Sequence, residues 1–405
     1  LLQENKHIDF YIIGIGNHSE VQLNAEVKQL IQHHTVFSGG KRHYQLVKKH
    51  LPENHEWIEI SGKMQDVIQQ YQTKEQKVVI FASGDPLFFG FGNTLKRLLP
   101  NASIEVLPYF NSIQRLAHKT SLNYSDLKSI SLHGRRTWKP LDICLMQGEK
   151  MMGILTDKGH SPQHIAQRLL TYGYPNYTIY VGEELDGEKE RVRQFTLEEA
   201  NETADYQLLN CVILIKTSDF IPPRSIADST FQTLEGRPGM MTKQPIRSLT
   251  LQALELWDKK CFWDVGSCTG SIAIEAQLNY PSLQVFAFEK RTECGEIIDN
   301  NAKRHHCPGI VVSIDDFFEE DIQKITPPDV VFIGGHGNRL EEMIQKLDSV
   351  LLPNGLMVMN TVLEKSYETF QKVCLALNYT VAVPIKMSLN DHNTIHLLVA
   401  KKNLK

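Results

Sequence analysis

The sequence predicts an α/β protein built from two domains, and three observations carry that expectation. The chain has 405 residues, too many for one hydrophobic core of ordinary size. Short apolar runs bounded by glycine turns recur along it and alternate with helical periodicity. Pro222-Pro223-Arg224 interrupts regular structure near the middle, which sets a boundary between residues 1–220 and 221–405.

Composition narrows the class. Hydrophobic residues make up 41% and charged residues 22%, the balance of a soluble globular protein. A net charge of -4 argues against a general nucleic-acid binder and leaves room for a local basic pocket. No apolar run reaches the length of a membrane span, and Leu1 to Lys6 lacks the apolar core of a signal peptide. The seven cysteines are scattered and never in C-x-x-C spacing, so they are expected as reduced thiols in a cytoplasm. His305-His306-Cys307 is not expected to hold a metal, because adjacent side chains diverge.

The first half opens on Phe10 to Ile13, a buried strand running into Gly14-Ile15-Gly16. A helix over Leu23 to Ile31 and a short strand at Val36 to Ser38 follow. Gly39-Gly40-Lys41-Arg42 lacks the spacing of a phosphate-binding P-loop. Val78 to Ala82 is the next strand and ends in Ser83-Gly84-Asp85-Pro86-Leu87-Phe88-Phe89-Gly90. Ligands of open α/β sheets bind beyond strand carboxyl ends, so this loop is a site candidate, although Gly-Asp-Pro also serves as a plain turn. An edge strand at Ile104 to Leu107 precedes Asn111, and Ile130-Ser131-Leu132 carries His133-Gly134-Arg135. Further strands are expected at Ile143 to Met146, Tyr177 to Val181 and Cys211 to Ile215, with a helix over Gln163 to Tyr172. Gly182 to Val192 reads as a charged hairpin.

These segments resemble the tetrapyrrole methylase family, and within it the cobalamin branch that methylates precorrins. Gly14-Ile15-Gly16, Gly39 to His43, Ala82 to Gly90, Ser131 to Arg135 and Glu190-Arg191 carry the likeness. The resemblance implies a two-lobed fold holding S-adenosylmethionine through Gly14, Gly16, Ser83, Gly84, Asp85, Pro86 and Phe88. Asn17-His18 and Asn111-Ser112 depart from the family pattern.

In the second half, Gly236-Arg237-Pro238-Gly239-Met240-Met241-Thr242-Lys243 is a linker or a lid, and a helix over Pro245 to Trp257 follows it. Phe262-Trp263-Asp264-Val265-Gly266-Ser267-Cys268-Thr269-Gly270 is a strand, a tight turn and a helix start. No G-x-G-x-x-G triplet is present, and Asp264 would repel the pyrophosphate of a dinucleotide. A cationic nucleoside without phosphate suits that acid better. Gln284 to Phe288 is the second strand, and its terminal Glu289 lies about 20 residues past the turn, where a carboxylate meets ribose hydroxyls. After a helix from Glu293 to His305, Val311 to Ile314 delivers Asp315, an acceptor for an adenine amine. Asp329 to Ile333 leads into Gly334-Gly335-His336-Gly337, and Leu356 to Asn360 is the fifth strand.

The D-x-G-x-x-x-G turn resembles that of Rossmann-like class I methyltransferases, with Cys268 at the middle-glycine position. Together with Met241-Thr242-Lys243 and Phe332-Ile333-Gly334-Gly335, it is similar to the decarboxylating precorrin carbon-15 methyltransferases. Fused behind the first half, it resembles the decarboxylating C(5,15)-methyltransferase family that acts on precorrin-6B. The likeness implies one S-adenosylmethionine per domain. In the second domain Thr242, Asp264, Gly266, Ser267, Thr269, Gly270, Glu289, Asp315 and Gly334 would hold it. Lys243, His336 and Arg135 are the catalytic candidates, and Arg237 and Arg339 join Lys243 and Arg135 as cations for substrate carboxylates. A small-molecule tetrapyrrole is the expected partner, with no nucleic acid, no membrane, no metal and a homo-oligomeric assembly. An RNA methyltransferase with a degenerate first half is the alternative.

Overall fold

A computed structural model describes residues 9–18, 20–237, 239–389 and 394–404. The expectations for Leu1 to Lys6 and for Pro238 lie outside those residues. The chain divides into two compact units, one of residues 1–136, 150–167 and 177–217, the other of 137–149, 168–176 and 218–405.

The first unit begins with β1 (Phe10–Ile15), α1 (Ala25–His33), β2 (Val36–Gly39), α2 (Lys41–Val47), β3 (Glu56–Glu59), α3 (Met64–Gln72), β4 (Val78–Ser83), α4 (Phe91–Leu98) and β5 (Ile104–Leu107). These five strands form a parallel sheet in the order β3-β2-β4-β1-β5. Parallel strands covered on both sides are apolar throughout. Thus Phe10 and Ile12 pack toward Val67 and Leu95, while Ile13 and Ile15 pack toward Val27 and Ile31.

The next stretch is α5 (Ser112–Lys119), β6 (Lys128–Ser131), α6 (Lys139–Gln147), β7 (Met151–Leu155), α7 (Pro162–Thr171), β8 (Tyr177–Glu183), β9 (Arg191–Phe195), α8 (Leu197–Glu202) and β10 (Asn210–Lys216). Strands β6-β7-β10-β8-β9 make a second, mixed sheet, and β8 and β9 are the two arms of the charged hairpin. The strand expected at Ile143 to Met146 is instead part of α6. Pro at the first turn and Gly148 in the left-handed conformation (φ 73°) bracket that helix, and a short apolar run alone does not separate buried helix from buried strand.

The second unit continues with α9 (Gln244–Ala253), β11 (Cys261–Val265), α10 (Ser271–Asn279), β12 (Gln284–Glu289), α11 (Thr292–Arg304), β13 (Val311–Ile314), β14 (Val330–Ile333), α12 (Leu340–Asp348), β15 (Leu356–Thr361), α13 (Glu364–Ala376), β16 (Tyr379–Val381), β17 (Ile385–Met387) and β18 (Ile395–Lys402). Helix α9 stops short of the expected Trp257, because Glu255 turns left-handed at φ 48°. The sheet runs β13-β12-β11-β14-β15-β18-β16, parallel up to β15, with antiparallel β18 closing against it. Alternate residues of β11 feed opposite layers. Trp263 and Val265 pack with Leu340, Met343 and Phe370, and Phe262 packs with Ile246, Ile272 and Ala276. Strand order reverses between β11 and β14, which opens a crevice beyond their carboxyl ends.

Candidate active site

In the second unit that crevice is a cleft of about 820 Å³. Three glycines set its floor. Gly266 has φ 78°, and a Cβ there would come within 2.5 Å of the Gly335 backbone nitrogen. A Cβ on Gly334 would sit 2.7 Å from the Gly266 carbonyl oxygen. The turns after β11 and β14 therefore touch backbone to backbone, an approach open only to glycine.

Around that floor, several buried polar atoms have no protein partner. They are Asp264 Oδ1, Ser267 Oγ, Thr269 Oγ1, His336 Nδ1 and Asn360 Oδ1, and all five residues line the cleft. Orphaned buried polar atoms are costly, and their convergence on one cavity marks a place for a polar ligand. Asp264 is 1% exposed, and its other carboxylate oxygen accepts from the Ala273 N–H at 3.2 Å. Burial pushes its pKa up to about 7, partly offset by the Ala273 N–H and assisted by the Glu289 charge.

Glu289 closes β12 and is 4% exposed. Its Oε2 accepts from the Cys268 N–H at 2.9 Å, and its Oε1 from the N–H groups of Lys290 and Arg291 at 2.8 and 3.1 Å. The Arg291 guanidinium reaches both oxygens at 3.1 Å. Asp315 follows β13 at the rim and caps its own turn through the Asp316 N–H.

Thr242 and Lys243 line the cleft from the segment ahead of α9. Arg247, fully buried, pins that segment by donating to the Thr242 carbonyl at 2.7 Å, while its Nε lies 2.8 Å from Glu275. Asn301 likewise donates to the Thr269 carbonyl at 3.0 Å. His336 is half-buried with its Nε2 3.4 Å from Ser366 Oγ, and burial lowers its pKa. Arg339 lines the cleft with its guanidinium 3.6 Å from the centre of the Phe318 ring and paired to Glu342. Arg237 and Gly270 do not line it, and Gly270 instead starts α10 at φ 73°. Sequence reasoning passed over Arg291, Lys290, Phe318 and Asn360, all of which line the cleft. A polar Asn360 at the carboxyl end of β15 was the available signal.

The first unit brings the ends of β1 and β4 together. A Cβ on Gly14 would fall 2.0 Å from the Gly84 carbonyl oxygen and 2.5 Å from the Tyr109 nitrogen. A Cβ on Gly90 would fall 2.6 Å from the Pro86 carbonyl oxygen, so the Ser83 to Gly90 loop is folded tightly on itself. Asp85 Oδ1 accepts from the Leu87 N–H at 2.8 Å. His43 accepts from the Gly40 N–H at Nδ1, which leaves Nε2 to donate to Ser83 Oγ at 2.9 Å. Burial, with Arg42 adjacent, lowers the His43 pKa to about 4. Asn111 caps α5 through the Gln114 N–H, giving that departure from the family pattern a structural role. Phe88 stacks edge-on against Phe89 in the same loop. Beside Gly14, Gly16 and Tyr109 the surface encloses about 20 Å³. Arg135 is exposed after β6, on a loop stapled by the Gly134 N–H to Asp157. Lys243 and His336 share the cleft of the second unit, and Arg135 does not line it.

His305, His306 and Cys307 do diverge. His305 packs on Phe231, His306 on Phe220 and Tyr174, and the Cys307 thiol donates to the Ile274 carbonyl.

A family model described as tetrapyrrole (corrin/porphyrin) methylases matches residues 9–201, and one described as precorrin methyltransferase domain matches residues 235–379. The precorrin-6Y C(5,15)-methyltransferase [decarboxylating] of a Sinorhizobium species is 32% identical over 358 residues, 87% of this chain and 84% of that protein. The cobalt-precorrin-6B C(15)-methyltransferase (decarboxylating) of Salmonella typhimurium is 38% identical over 134 residues, 33% of this chain and 68% of its own. The cobalt-precorrin-7 C(5)-methyltransferase of the same organism is 24% identical over 204 residues, 50% of this chain and 97% of its own.

Proposed function

This chain belongs to the family of decarboxylating precorrin-6Y C(5,15)-methyltransferases, and on that premise we propose how its two halves share the work. The enzyme uses S-adenosylmethionine to methylate the precorrin-6B macrocycle at carbons 5 and 15, with loss of the ring C acetate, in cobalamin biosynthesis. Residues 1–220 would form the carbon 5 methylase, and residues 221–405 the carbon 15 methylase and decarboxylase. Each would bind its own cofactor. The existence of relatives named for each single activity supports the division.

The observation that carries the reading is the set of unpartnered polar atoms around the Asp264 to Gly270 turn. In that cleft Asp264 would face the cofactor's cationic end, Glu289 its ribose and Asp315 its adenine amine. Thr242, Ser267, Thr269 and the Gly266 and Gly334 backbones would complete the cradle. In the first half, Gly14, Gly16, Ser83, Gly84, Asp85, Pro86 and Phe88 would do the same.

When bound, S-adenosylmethionine supplies an electrophilic methyl group. The nucleophile is an electron-rich ring carbon of the substrate, so the protein's part is to hold the two in line and exclude water. Lys243, with Lys290 and Arg339 on the same cleft, would hold substrate carboxylates by charge-assisted hydrogen bonds. Arg135 would do so in the first half. His336, kept neutral by burial, offers Nδ1 to carry a proton at the macrocycle. Electrons left by the departing carbon dioxide pass into the conjugated ring.

A small tetrapyrrole is thus the proposed partner, with neither nucleic acid nor membrane. No helix among the described residues is long and apolar enough to cross a bilayer. We place the enzyme in the cytoplasm because its seven cysteines are free thiols. A homo-oligomer is proposed on family likeness and is checked by light scattering. The deciding experiment is a mass spectrum of precorrin-6B incubated with protein and S-adenosylmethionine. Two added methyls and one lost carbon dioxide are expected, and an unchanged substrate overturns the reading.

A further inference from the structure

Cys268 stands where the family turn has a glycine, and it pays conformationally, with φ at 50° in the left-handed region. Sγ lies 3.0 Å from the Met240 carbonyl oxygen. Cys294, in the first turn of α11, is fully buried beneath it. The two sulfurs and a Glu289 carboxylate oxygen lie within 4.8 Å of one another. Of the pair, Cys268 lines the cofactor cleft and Cys294 does not.

Two thiols and a carboxylate at that spacing invite two readings. A soft metal ion would need the Glu289 carboxylate as its third donor. The Arg291 guanidinium lies 3.1 Å from both oxygens of that carboxylate and places a positive charge beside the would-be cation. The Cys268 thiol donates to the Met240 carbonyl, a bond that closing a disulfide would give up. The two sulfurs lie within 4.8 Å of each other and must close to about 2.05 Å to bond.

We infer that Cys268 and Cys294 form an oxidisable dithiol in the wall of the cofactor site, a modification site for small peroxides. The inference rests on the reading that this cleft holds S-adenosylmethionine. The Cys268 sulfur attacks one peroxide oxygen, the O–O bond breaks, and the thiol proton leaves with the other oxygen as water. The Cys294 sulfur then displaces the hydroxyl from the resulting sulfenic acid as a second water, forming the S–S bond. With hydrogen peroxide, two thiols lose two electrons and two protons, and one H2O2 becomes two waters. Burial pushes the Cys268 thiol up to about 12 and raises Cys294 as well, so reaction is slow and favours a small oxidant.

The Cys268 N–H donates to Glu289, so tying Cys268 to α11 shifts the donor that orients the ribose acceptor. Oxidation is therefore expected to weaken cofactor binding, and bound cofactor to slow oxidation by covering Cys268.

The test treats the full-length protein with hydrogen peroxide, then maps peptides without reduction and titrates S-adenosylmethionine by calorimetry. A peptide pair joined through Cys268 and Cys294, a severalfold weaker affinity and recovery with dithiothreitol are the expected results. Pre-saturation with S-adenosylmethionine should delay the link. Cys294→Ala should bind cofactor as the untreated protein does and lose the peroxide response. Absence of the 268–294 link after half-buried Met64 and Met151 have oxidised overturns the site. A link that leaves affinity unchanged overturns its coupling to the cofactor. Failure of the untreated protein to bind S-adenosylmethionine is a separate outcome, and it strikes the functional reading rather than the dithiol.

Discussion

The carboxylate of Glu289 accepts a hydrogen bond from the backbone N–H of Cys268 at 2.9 Å, joining the end of β12 to the turn after β11. One residue thus shapes the cofactor turn and presents the acceptor proposed for the ribose. Neither role is separable from the other, and the pairing with Arg291 adds a third demand on the same oxygens.

Glu289→Gln should weaken S-adenosylmethionine binding by at least about tenfold, through loss of charge-assisted hydrogen bonds to two hydroxyls. It should also lower the melting temperature of the ligand-free protein. An amide NH₂ in place of one carboxylate oxygen would face N–H donors at Cys268 or at Lys290 and Arg291. Calorimetric titration and a thermal melt of the same variant check both parts, and an unchanged dissociation constant removes the ribose assignment.

Gly266→Ala and Gly335→Ala should part company although the two residues touch. At Gly266 a methyl meets the Gly335 backbone at 2.5 Å in a left-handed conformation, so a loss above about 2 kcal/mol is expected. At Gly335 the nearest atom to an added Cβ is 3.9 Å away, and the change should stay within about 0.5 kcal/mol. Denaturant melts of both variants decide it, and equal losses would contradict the interlocked turns.

Much of this architecture was legible because strands buried on both faces leave plain apolar runs, as at Phe262 to Val265 and Gln284 to Phe288. Acids ending such runs are conspicuous in the sequence, as Asp264 and Glu289 are. Ile143 to Met146 misled for the same reason, since α6 is buried on most sides and shows no clean period. Arg247 carried no signal at all. A charged residue reads as surface until a tertiary partner such as Glu275 is known. The antiparallel strands β16 to β18 went unseen, being short or only weakly alternating.

Asp85→Ala should reduce carbon 5 methylation while sparing carbon 15. Its carboxylate holds the Leu87 N–H, so the turn loses about 0.5–1.5 kcal/mol of local hydrogen bonding. If that were its whole role, both methylations would survive in a folded variant. Mass spectra of the product, read for one or two added methyls, separate the turn from the site.

The last expectation concerns Asp264 and pH. Burial raises its folded pKa to about 7 from an ordinary 3.8, so between those values the folded state binds the proton that the unfolded state releases. Stability from this group is therefore complete below about 4 and is lost as pH rises through about 7. Cofactor binding should run the other way. A cationic ligand beside the unpartnered Oδ1 favours the carboxylate, so affinity should rise between pH 6 and 8, by up to about tenfold if one proton is released. Asp264→Asn fixes the neutral form. It should raise the ligand-free melting temperature at pH 8, weaken S-adenosylmethionine binding, and flatten its pH dependence through this range. Titrations at pH 6, 7 and 8 in two buffers of different ionisation enthalpy measure the proton release directly. A wild-type affinity that is flat across that range, with no proton exchanged, would take the cationic end of the ligand away from Asp264.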